Sequence, residues 1–383
     1  MTGPLLNEMR DPIAEKMQQG VDDGVYPGGV LLVWYQGQIR HHAAYGHACL
    51  IPVPEAASCD TVFDLASLTK PLAAANAALL FAADGRIVLD DLLARYIPEL
   101  EHKSLGQATL RHLLNHSTGL PAWRPFYQRI APDGRRLREK RLENRRIAVY
   151  DAIQREPLIE PIGARAIYSD LGFILLGEVL ERVSRRDWAD LCHGEVFGRL
   201  GLEGLFYMSE AGPTGGMSTR DRVFAATEQD EWRGHLLRGE VHDEHAALMG
   251  GVSSHAGLFG TAMAVLQASR PWLAAVRGDA SPLPRRWARE FVSRQSLAPE
   301  SSWALGWDTP SIGAGGEPSS SGSLFPKSAF GHLGFTGTSV WLDPERNLIV
   351  VLLTNRVHPT RQNNRIRQFR PELHDIVVTT LTG

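Results

Sequence analysis

Ser67 and Lys70 are the first residues in this sequence whose types and spacing could do chemistry. They stand three positions apart in FDLASLTKPLAA, residues 63–74, where a short apolar stretch gives way to an alanine-rich helical pattern. Three positions on a helix place two side chains on one face, within reach of each other. A serine hydroxyl becomes a nucleophile when a neighbour accepts its proton, and a lysine that burial has deprived of its charge can accept it. The spacing therefore predicts a Ser67 nucleophile at a helix start, beside exposed N–H groups.

Two later segments supply further groups for the same chemistry. In AIYSDLGF, Tyr168 and Asp170 precede another helical pattern and provide a phenol and a carboxylate. A phenol beside a lysine cation is expected to lose its proton more readily than its reference pKa of about 10 implies, which makes Tyr168 a candidate general base. GHLGFTGTSVWL, residues 331–342, brings His332 and three glycines to the start of a strand, where bare backbone can approach a ligand. These segments complete a candidate serine-based active site.

The elements that must position these groups fall into two sets. Strand patterns lie near both chain ends, at residues 29–35, 38–46, 339–343 and 348–355, and helical patterns lie between them, at 70–85, 110–117, 171–184 and 261–269. We therefore predict an α/β (α+β) fold, in which an antiparallel sheet flanked by helices is built from residues 1–66 and 300–383. Residues 67–299 form a mostly helical inserted domain, and the active site lies at the seam.

Several connecting segments carry weaker predictions. Residues 5–23 have the spacing of an amphipathic helix, and a last helical stretch after Arg361 is expected to be interrupted by Pro371. Two Gly-, Ser- and Pro-rich loops, 208–219 and 310–324, are expected to be flexible surface connections.

Composition excludes several classes of function. The 383 residues are 43% hydrophobic and 22% charged with a net charge of -3, so no basic field calls for nucleic acid. No stretch looks long and apolar enough to span a bilayer. The N-terminus lacks the pattern of a secretory signal, which predicts a cytoplasmic protein, or an exported one if a leader was removed. Three cysteines without a close pair fit a reducing compartment.

Three clusters suggest other kinds of site. His112 and His116 have the spacing of a zinc-binding helix, but the glutamate that this chemistry needs is a leucine. VHDEH, residues 241–245, is interpreted as a hydrogen-bonded loop in preference to a metal site. The mixed-charge run at 134–146 is interpreted as a solvated helix face, with a groove for an anionic ligand as the alternative. We therefore predict no metal and no cofactor.

With SLTK, YSD and HLG in this order, the chain resembles the serine β-lactamase and penicillin-binding protein superfamily. The resemblance is to the branch of class C β-lactamases, family VIII carboxylesterases, D-aminopeptidases and DD-peptidase-like proteins. It extends from about residue 25 to about residue 357 and includes LRHLLNHSTGLP and GEVHDEHAALMGGVSSHAGLFGTA.

The resemblance implies a role for each motif residue. Ser67 would be acylated, Lys70 would be its proton partner, and Tyr168 would activate the serine and protonate the leaving group. The backbone N–H groups of Ser67 and Phe335 would form the oxyanion hole, with Gly334 beside them in the substrate site. Whether Lys70 or Tyr168 is the base stays open, because the two titrate as a coupled pair.

Two departures from the superfamily pattern bear on the substrate. Asp170 stands in place of an amide, where its charge should favour protonated Lys70 and repel an anionic substrate. His332 replaces a lysine that would bind a substrate carboxylate, and it is largely neutral at pH 7. We expect a small-molecule substrate and a preference for neutral esters or amides. The alternatives are β-lactamase, DD-peptidase or D-aminopeptidase activity, the last with Asp170 binding a free amine, or a non-catalytic binding domain.

Overall fold

The computed structural model describes residues 11–311 and 319–382. The strands are β1 (Gly28–Tyr35), β2 (Gln38–Cys49), β3 (Glu55–Ala56), β4 (Phe63–Asp64), β5 (Phe206–Ser209), β6 (Gly212–Pro213), β7 (Ala226–Asp230), β8 (His235–Arg238), β9 (Leu258–Gly260), β10 (Phe330–Leu333), β11 (Ser339–Asp343) and β12 (Leu348–Thr354). The helices are α1 (Pro12–Asp22), α2 (Asn76–Ala83), α3 (Leu93–Tyr96), α4 (Leu110–Leu114), α5 (Tyr127–Ile130), α6 (Leu142–Gln154), α7 (Asp170–Ser184), α8 (Trp188–Leu191), α9 (Glu244–Leu248), α10 (Ala262–Arg277), α11 (Arg285–Val292) and α12 (Ile366–Thr382).

The large sheet joins the two ends of the chain. Its strand order is β10-β11-β12-β1-β2-β3, and its pairs are antiparallel. β1 is apolar on both faces, because Val30 and Leu32 pack in one core while Leu31 and Val33 pack in the other. The predicted architecture, an antiparallel sheet flanked by helices and built from both chain ends, is confirmed.

Helices from the two chain ends cover the outer face of this sheet. α1 begins at Pro12, after Asp11 caps it by accepting from the Ile13 N–H at 3.0 Å, and it packs against α12. The first part of the predicted 5–23 helix lies outside the described residues. The predicted interruption of the last helix is wrong, since α12 contains Pro371 and continues to Thr382.

The other face packs against the helical middle of the chain, where a second sheet has the order β4-β9-β5-β6. Part of the loop predicted at 208–219 is structured, because β5 ends there and pairs with β6 in a short hairpin. Of the other predicted loop, residues 312–318 lie outside the described residues. The run 134–146 is only partly a solvated face, because Arg145 is buried and pairs with Glu210 at 2.6 Å.

One segment departs from the expectation that no stretch could span a bilayer. Residues Ala66–Ala83 are long and apolar enough by length and composition, but 89% of the window is buried inside the protein. That burial is typical of the core helix of a folded domain. The same segment begins with the candidate nucleophile, so the core holds the site in place.

Candidate active site

The nucleophile lies in a tight turn between β4 and the central helix. Ser67 is in a 3₁₀ turn, Ala66–Leu68, which leads into a π-helical stretch, Lys70–Ala75, and then into α2. Ala66 has a left-handed φ of 47°, a conformation that its surroundings must hold. Its N–H donates to Asp64 Oδ1 at 2.8 Å and its carbonyl accepts from Thr69 Oγ1 at 2.7 Å. A helix therefore starts near Ser67 as predicted, with irregular first turns.

Lys70 is fully buried and its ammonium group meets three acceptors. Its Nζ donates to Ser67 Oγ at 2.9 Å, to Asp170 Oδ1 at 2.6 Å and to the carbonyl of His255 at 3.1 Å. Burial lowers the pKa of Lys70, but Asp170 and Tyr168 outweigh that effect and raise it above its ordinary value. The expectation that Asp170 favours the protonated form of Lys70 is therefore supported.

Tyr168 lies against the same ammonium group, with its ring centroid 4.9 Å from Lys70 Nζ. Burial raises the pKa of Tyr168, and Asp170 adds to the rise, while Lys70 and Ser67 only partly lower it. The expected easier loss of the phenol proton is thus wrong for the resting site. The ring is fixed by Trp303 at 5.2 Å and by His116 at 4.7 Å between centroids.

His116 is a site residue that its sequence spacing did not reveal. Its Nδ1 accepts from the Ser169 N–H at 3.1 Å, and Ser169 caps α7 by accepting from the Gly172 N–H at 3.3 Å. His112, in contrast, caps α4, where its Nδ1 accepts from the Thr109 N–H at 3.1 Å. The two histidines thus have separate structural roles, and His116 orients the start of the helix that carries Asp170.

His332 and the residues after it form the opposite wall. His332 is 1% exposed, its Nδ1 bonds to the Leu333 carbonyl at 2.8 Å, and burial and Lys70 lower its pKa to about 3. It is therefore neutral at pH 7, as predicted. At Gly334 a Cβ would lie 2.0 Å from Thr338 Oγ1 and 2.6 Å from the Leu65 carbonyl oxygen, so the backbone here can pack this closely only as glycine.

Phe335 follows as an exposed aromatic residue at the mouth of the site. The residue is 49% exposed, and its carbonyl accepts from Arg356 Nε at 2.9 Å and Nη2 at 2.6 Å. Within residues 11–311 and 319–382 its N–H meets no acceptor. That N–H remains available for the oxyanion role that the resemblance implies.

These residues line a cavity of about 370 Å³. Its walls include Ser67, Tyr168, Trp303, Asp308, His332, Gly334, Phe335, Arg356, Asn364, Arg367 and Arg370. Larger hollows exist, and one of about 870 Å³, lined by residues of 129–157, contains none of the candidate catalytic groups. Location beside Ser67 therefore identifies the functional cavity better than size does.

Three arginines on one wall were missed by the sequence analysis. Arg370 is 4% exposed, its Nε has no partner, and its Nη2 reaches the Thr338 carbonyl only at 3.5 Å. Burial lowers the pKa of both Arg356 and Arg370 to about 10. In the described part of the chain, neither they nor Arg367 form a salt bridge with a carboxylate. The spacing of Arg367 and Arg370 on one helix face was the available signal.

A polar cluster that includes residues of VHDEH lies next to Lys70 and holds the backbone of His255, which contacts it. His255 bonds through Nε2 to Asp243 Oδ1 at 2.8 Å and through Nδ1 to Ser253 Oγ at 2.8 Å, while His245 Nε2 bonds to the Arg124 carbonyl at 2.8 Å. The groups are close enough to be considered as a metal cluster. Their hydrogen bonds hold this loop beside the His255 backbone, which contacts Lys70.

A serine hydroxyl hydrogen-bonded to a buried lysine, beside a phenol and a cavity, is an arrangement that suits nucleophilic catalysis by serine. The chain belongs to the β-lactamase family, since the family described as Beta-lactamase matches residues 13–373. The predicted superfamily is thus confirmed.

Individual relatives agree with this assignment. Over 376 residues the chain is 30% identical to a protein of Escherichia coli (strain K12) named "Putative D-alanyl-D-alanine carboxypeptidase", covering 92% of this chain and 82% of that protein. It is 30% identical over 362 residues to the "N-acetylmuramyl-L-alanine amidase" of Bacillus subtilis (strain 168), covering 87% and 78%. The fold matches a class C β-lactamase of Rhodobacter sphaeroides with a TM-score of 0.67 at 20% identity, covering 97% and 99%. The chain is accordingly a hydrolase of the β-lactamase family.

Proposed function

We propose that this hydrolase cleaves ester or amide bonds through an acyl-enzyme formed on Ser67. The observation that carries the proposal is the 2.9 Å hydrogen bond between Ser67 Oγ and Lys70 Nζ at the floor of the cavity. Tyr168 lies against the same ammonium group. The nucleophile, the lysine and the phenol that the reaction needs are therefore together at one place.

The reaction proceeds in two balanced halves. Ser67 Oγ attacks the substrate carbonyl, its proton passes to the Lys70–Tyr168 pair, and the oxyanion is held by the N–H groups of Ser67 and Phe335. The same proton then moves to the departing alcohol or amine as its bond to the carbonyl breaks. A water molecule repeats the sequence on the acyl-enzyme, so that the carboxylic acid leaves and the Ser67 hydroxyl is restored.

Neutral esters or amides are the first candidate substrates. His332 stands uncharged where the family pattern has a lysine, and Asp170 is engaged by Lys70 at 2.6 Å. Trp303 and the exposed ring of Phe335 add apolar surface to the cavity. Those features suit an uncharged acyl group.

A peptide with a free carboxylate is the second candidate, and the arginine wall favours it. Arg356, Arg367 and Arg370 bring three guanidinium groups to the cavity, and guanidinium is well matched to a carboxylate. The relative named as a putative carboxypeptidase supports the same class. A β-lactam with a carboxylate would meet this wall as well.

One substrate panel tests both candidates. Hydrolysis of p-nitrophenyl butyrate, nitrocefin and a D-alanyl-D-alanine peptide would be measured on wild type and Ser67→Ala, together with labelling by a fluorophosphonate. Covalent labelling of Ser67 and loss of all hydrolysis in Ser67→Ala are expected. A higher kcat/KM for the butyrate supports the neutral class, and a higher value for the peptide or nitrocefin supports the carboxylate class. Turnover that survives in Ser67→Ala would refute the acyl-enzyme.

A further inference from the structure

The carboxylate of Asp170 has a position that the family pattern does not explain. The pattern places an amide here, and an amide would offer Lys70 one neutral oxygen. Asp170 instead makes an ion pair of 2.6 Å with an ammonium group whose side chain is fully buried. Its own side chain is 19% exposed, so its principal contact faces inward, toward Lys70.

The three acceptors around Lys70 match the three N–H bonds of an ammonium ion. Ser67 Oγ, Asp170 Oδ1 and the His255 carbonyl lie at 2.9, 2.6 and 3.1 Å from Nζ. A neutral amine could donate to Asp170 and His255 and accept the Ser67 hydroxyl proton, whereas an ammonium ion donates to all three oxygens. The 2.6 Å contact with the Asp170 carboxylate favours the ammonium ion, which cannot accept the Ser67 proton.

We propose that Asp170 is a positioning residue that holds Lys70 as an ammonium ion in the resting enzyme, so that Ser67 is activated only after the Lys70–Tyr168 pair has released one proton. This inference rests on the proposed function, because it concerns the same nucleophile. It extends the expectation that the Asp170 charge favours protonated Lys70 into a role in proton transfer, where the sequence had suggested a substrate contact as well.

The sign of the effect does not depend on which group is the base. A negative charge beside Lys70 favours the ammonium form, and the same charge opposes formation of a Tyr168 phenolate. Asp170 correspondingly raises the pKa of Lys70 and that of Tyr168. In either assignment, a higher pH is needed to remove the proton that must leave before Ser67 can react.

Other charged or titratable groups around Lys70 do not replace Asp170. His116, from the loop after α4, and His332, from β10, face Lys70, and both have lowered pKa values and are neutral. Beyond them, His245 of α9 senses Asp170. Asp243 is engaged by His255, whose contact with Lys70 is a neutral carbonyl. Asp170 is thus the carboxylate in direct contact with the ammonium group.

The test is the pH dependence of kcat/KM for p-nitrophenyl butyrate in wild type and Asp170→Asn, each corrected for spontaneous hydrolysis. Wild type is expected to gain activity through an alkaline transition. Asp170→Asn is expected to move that midpoint to lower pH by about one to three units. The matched control is Asp151→Asn, which removes an exposed carboxylate paired with Arg155 and should leave the profile unchanged.

Two further measurements separate the possible failures. Ser67 labelling by a fluorophosphonate reports on the proposed function, so wild type that cannot be labelled at any pH refutes that function. A folded, labelled Asp170→Asn with an unmoved midpoint refutes the role of Asp170 alone. If the variant does not fold, the ionisation of Tyr168 in wild type still tests the inference. It is measured as the difference in phenolate absorbance between wild type and Tyr168→Phe. Ionisation at or below the reference value of about 10 would overturn the inference.

Discussion

Replacing Arg370 by methionine should stabilise the protein, although it removes a buried side chain's hydrogen bond. The Arg370 guanidinium is 4% exposed, lacks a partner at Nε and has one long bond of 3.5 Å to the Thr338 carbonyl. Methionine has a similar length and fills irregular apolar space without a charge. We therefore expect the unpaired buried charge of Arg370 to lower the free energy of unfolding of the protein.

The size of the gain follows from the pKa of the arginine. Burial, aided by Arg356, lowers that pKa from 12.5 to about 10. At about 1.4 kcal/mol per pKa unit, the buried charge costs the folded state about 3 kcal/mol. The variant also loses the hydrogen bond of Arg370, so we expect its free energy of unfolding to rise by about 1 to 3 kcal/mol. The cost is fully present below pH 10, because there the folded and unfolded states are both protonated. It disappears as the pH rises from about 10 to 12.5.

Urea unfolding at pH 7 in a buffer without carboxylates measures the difference. Arg146→Met is the control, because Arg146 forms a partly buried ion pair with Glu181 and its loss should destabilise the protein. A lower free energy of unfolding in Arg370→Met than in wild type, with the control behaving as expected, would refute the reasoning.

Added acetate connects this prediction to the substrate. If the arginine wall binds carboxylates, acetate should stabilise wild type and have a smaller effect on Arg370→Met. Equal stabilisation of both proteins would show that Arg370 does not bind the anion.

Three other predictions concern the opposite wall and its supports. Gly334→Ala should lower the free energy of unfolding by about 1 to 3 kcal/mol and reduce kcat, because the new Cβ would lie 2.6 Å from the Leu65 carbonyl oxygen. Urea unfolding should show no such loss of stability for the control Gly194→Ala, where the nearest atom is 3.4 Å away. Glu228 is partly buried, which raises its pKa, but His242 and an arginine lower it to about 2, so its stabilisation is present above about pH 4.5 and is lost as the pH falls toward 2. The difference in unfolding free energy between wild type and Glu228→Gln should shrink over that range. His332→Gln should leave the pH profile of kcat/KM unchanged between about pH 5 and 8, because the histidine is already neutral there; a vanished transition would contradict its low pKa.

The sequence was sufficient for the family and for much of the fold because both depend on local order. Periodicity located the strands that became β1, β11 and β12, and continuous apolar runs indicated burial on both faces. Three spaced motifs in one order identified the superfamily. The domain boundaries at 67 and 299 remain predictions.

Local patterns were less reliable where long-range packing decides the outcome. The last helix continues through Pro371, and a stretch of the 208–219 loop forms part of a sheet. These segments gain enough from tertiary contacts to override the breaking tendency of their own residues.

For the active site, the sequence determined which side chains are available, and the tertiary structure decided their charge states and neighbours. Ser67 and Lys70 could be paired from spacing, because a helix turn fixes their separation. The raised pKa of Tyr168 and the convergence of Arg356 with Arg370 could not be read in the same way. Each depends on distances between residues far apart in the chain and on the loss of water around them, which only the folded packing sets.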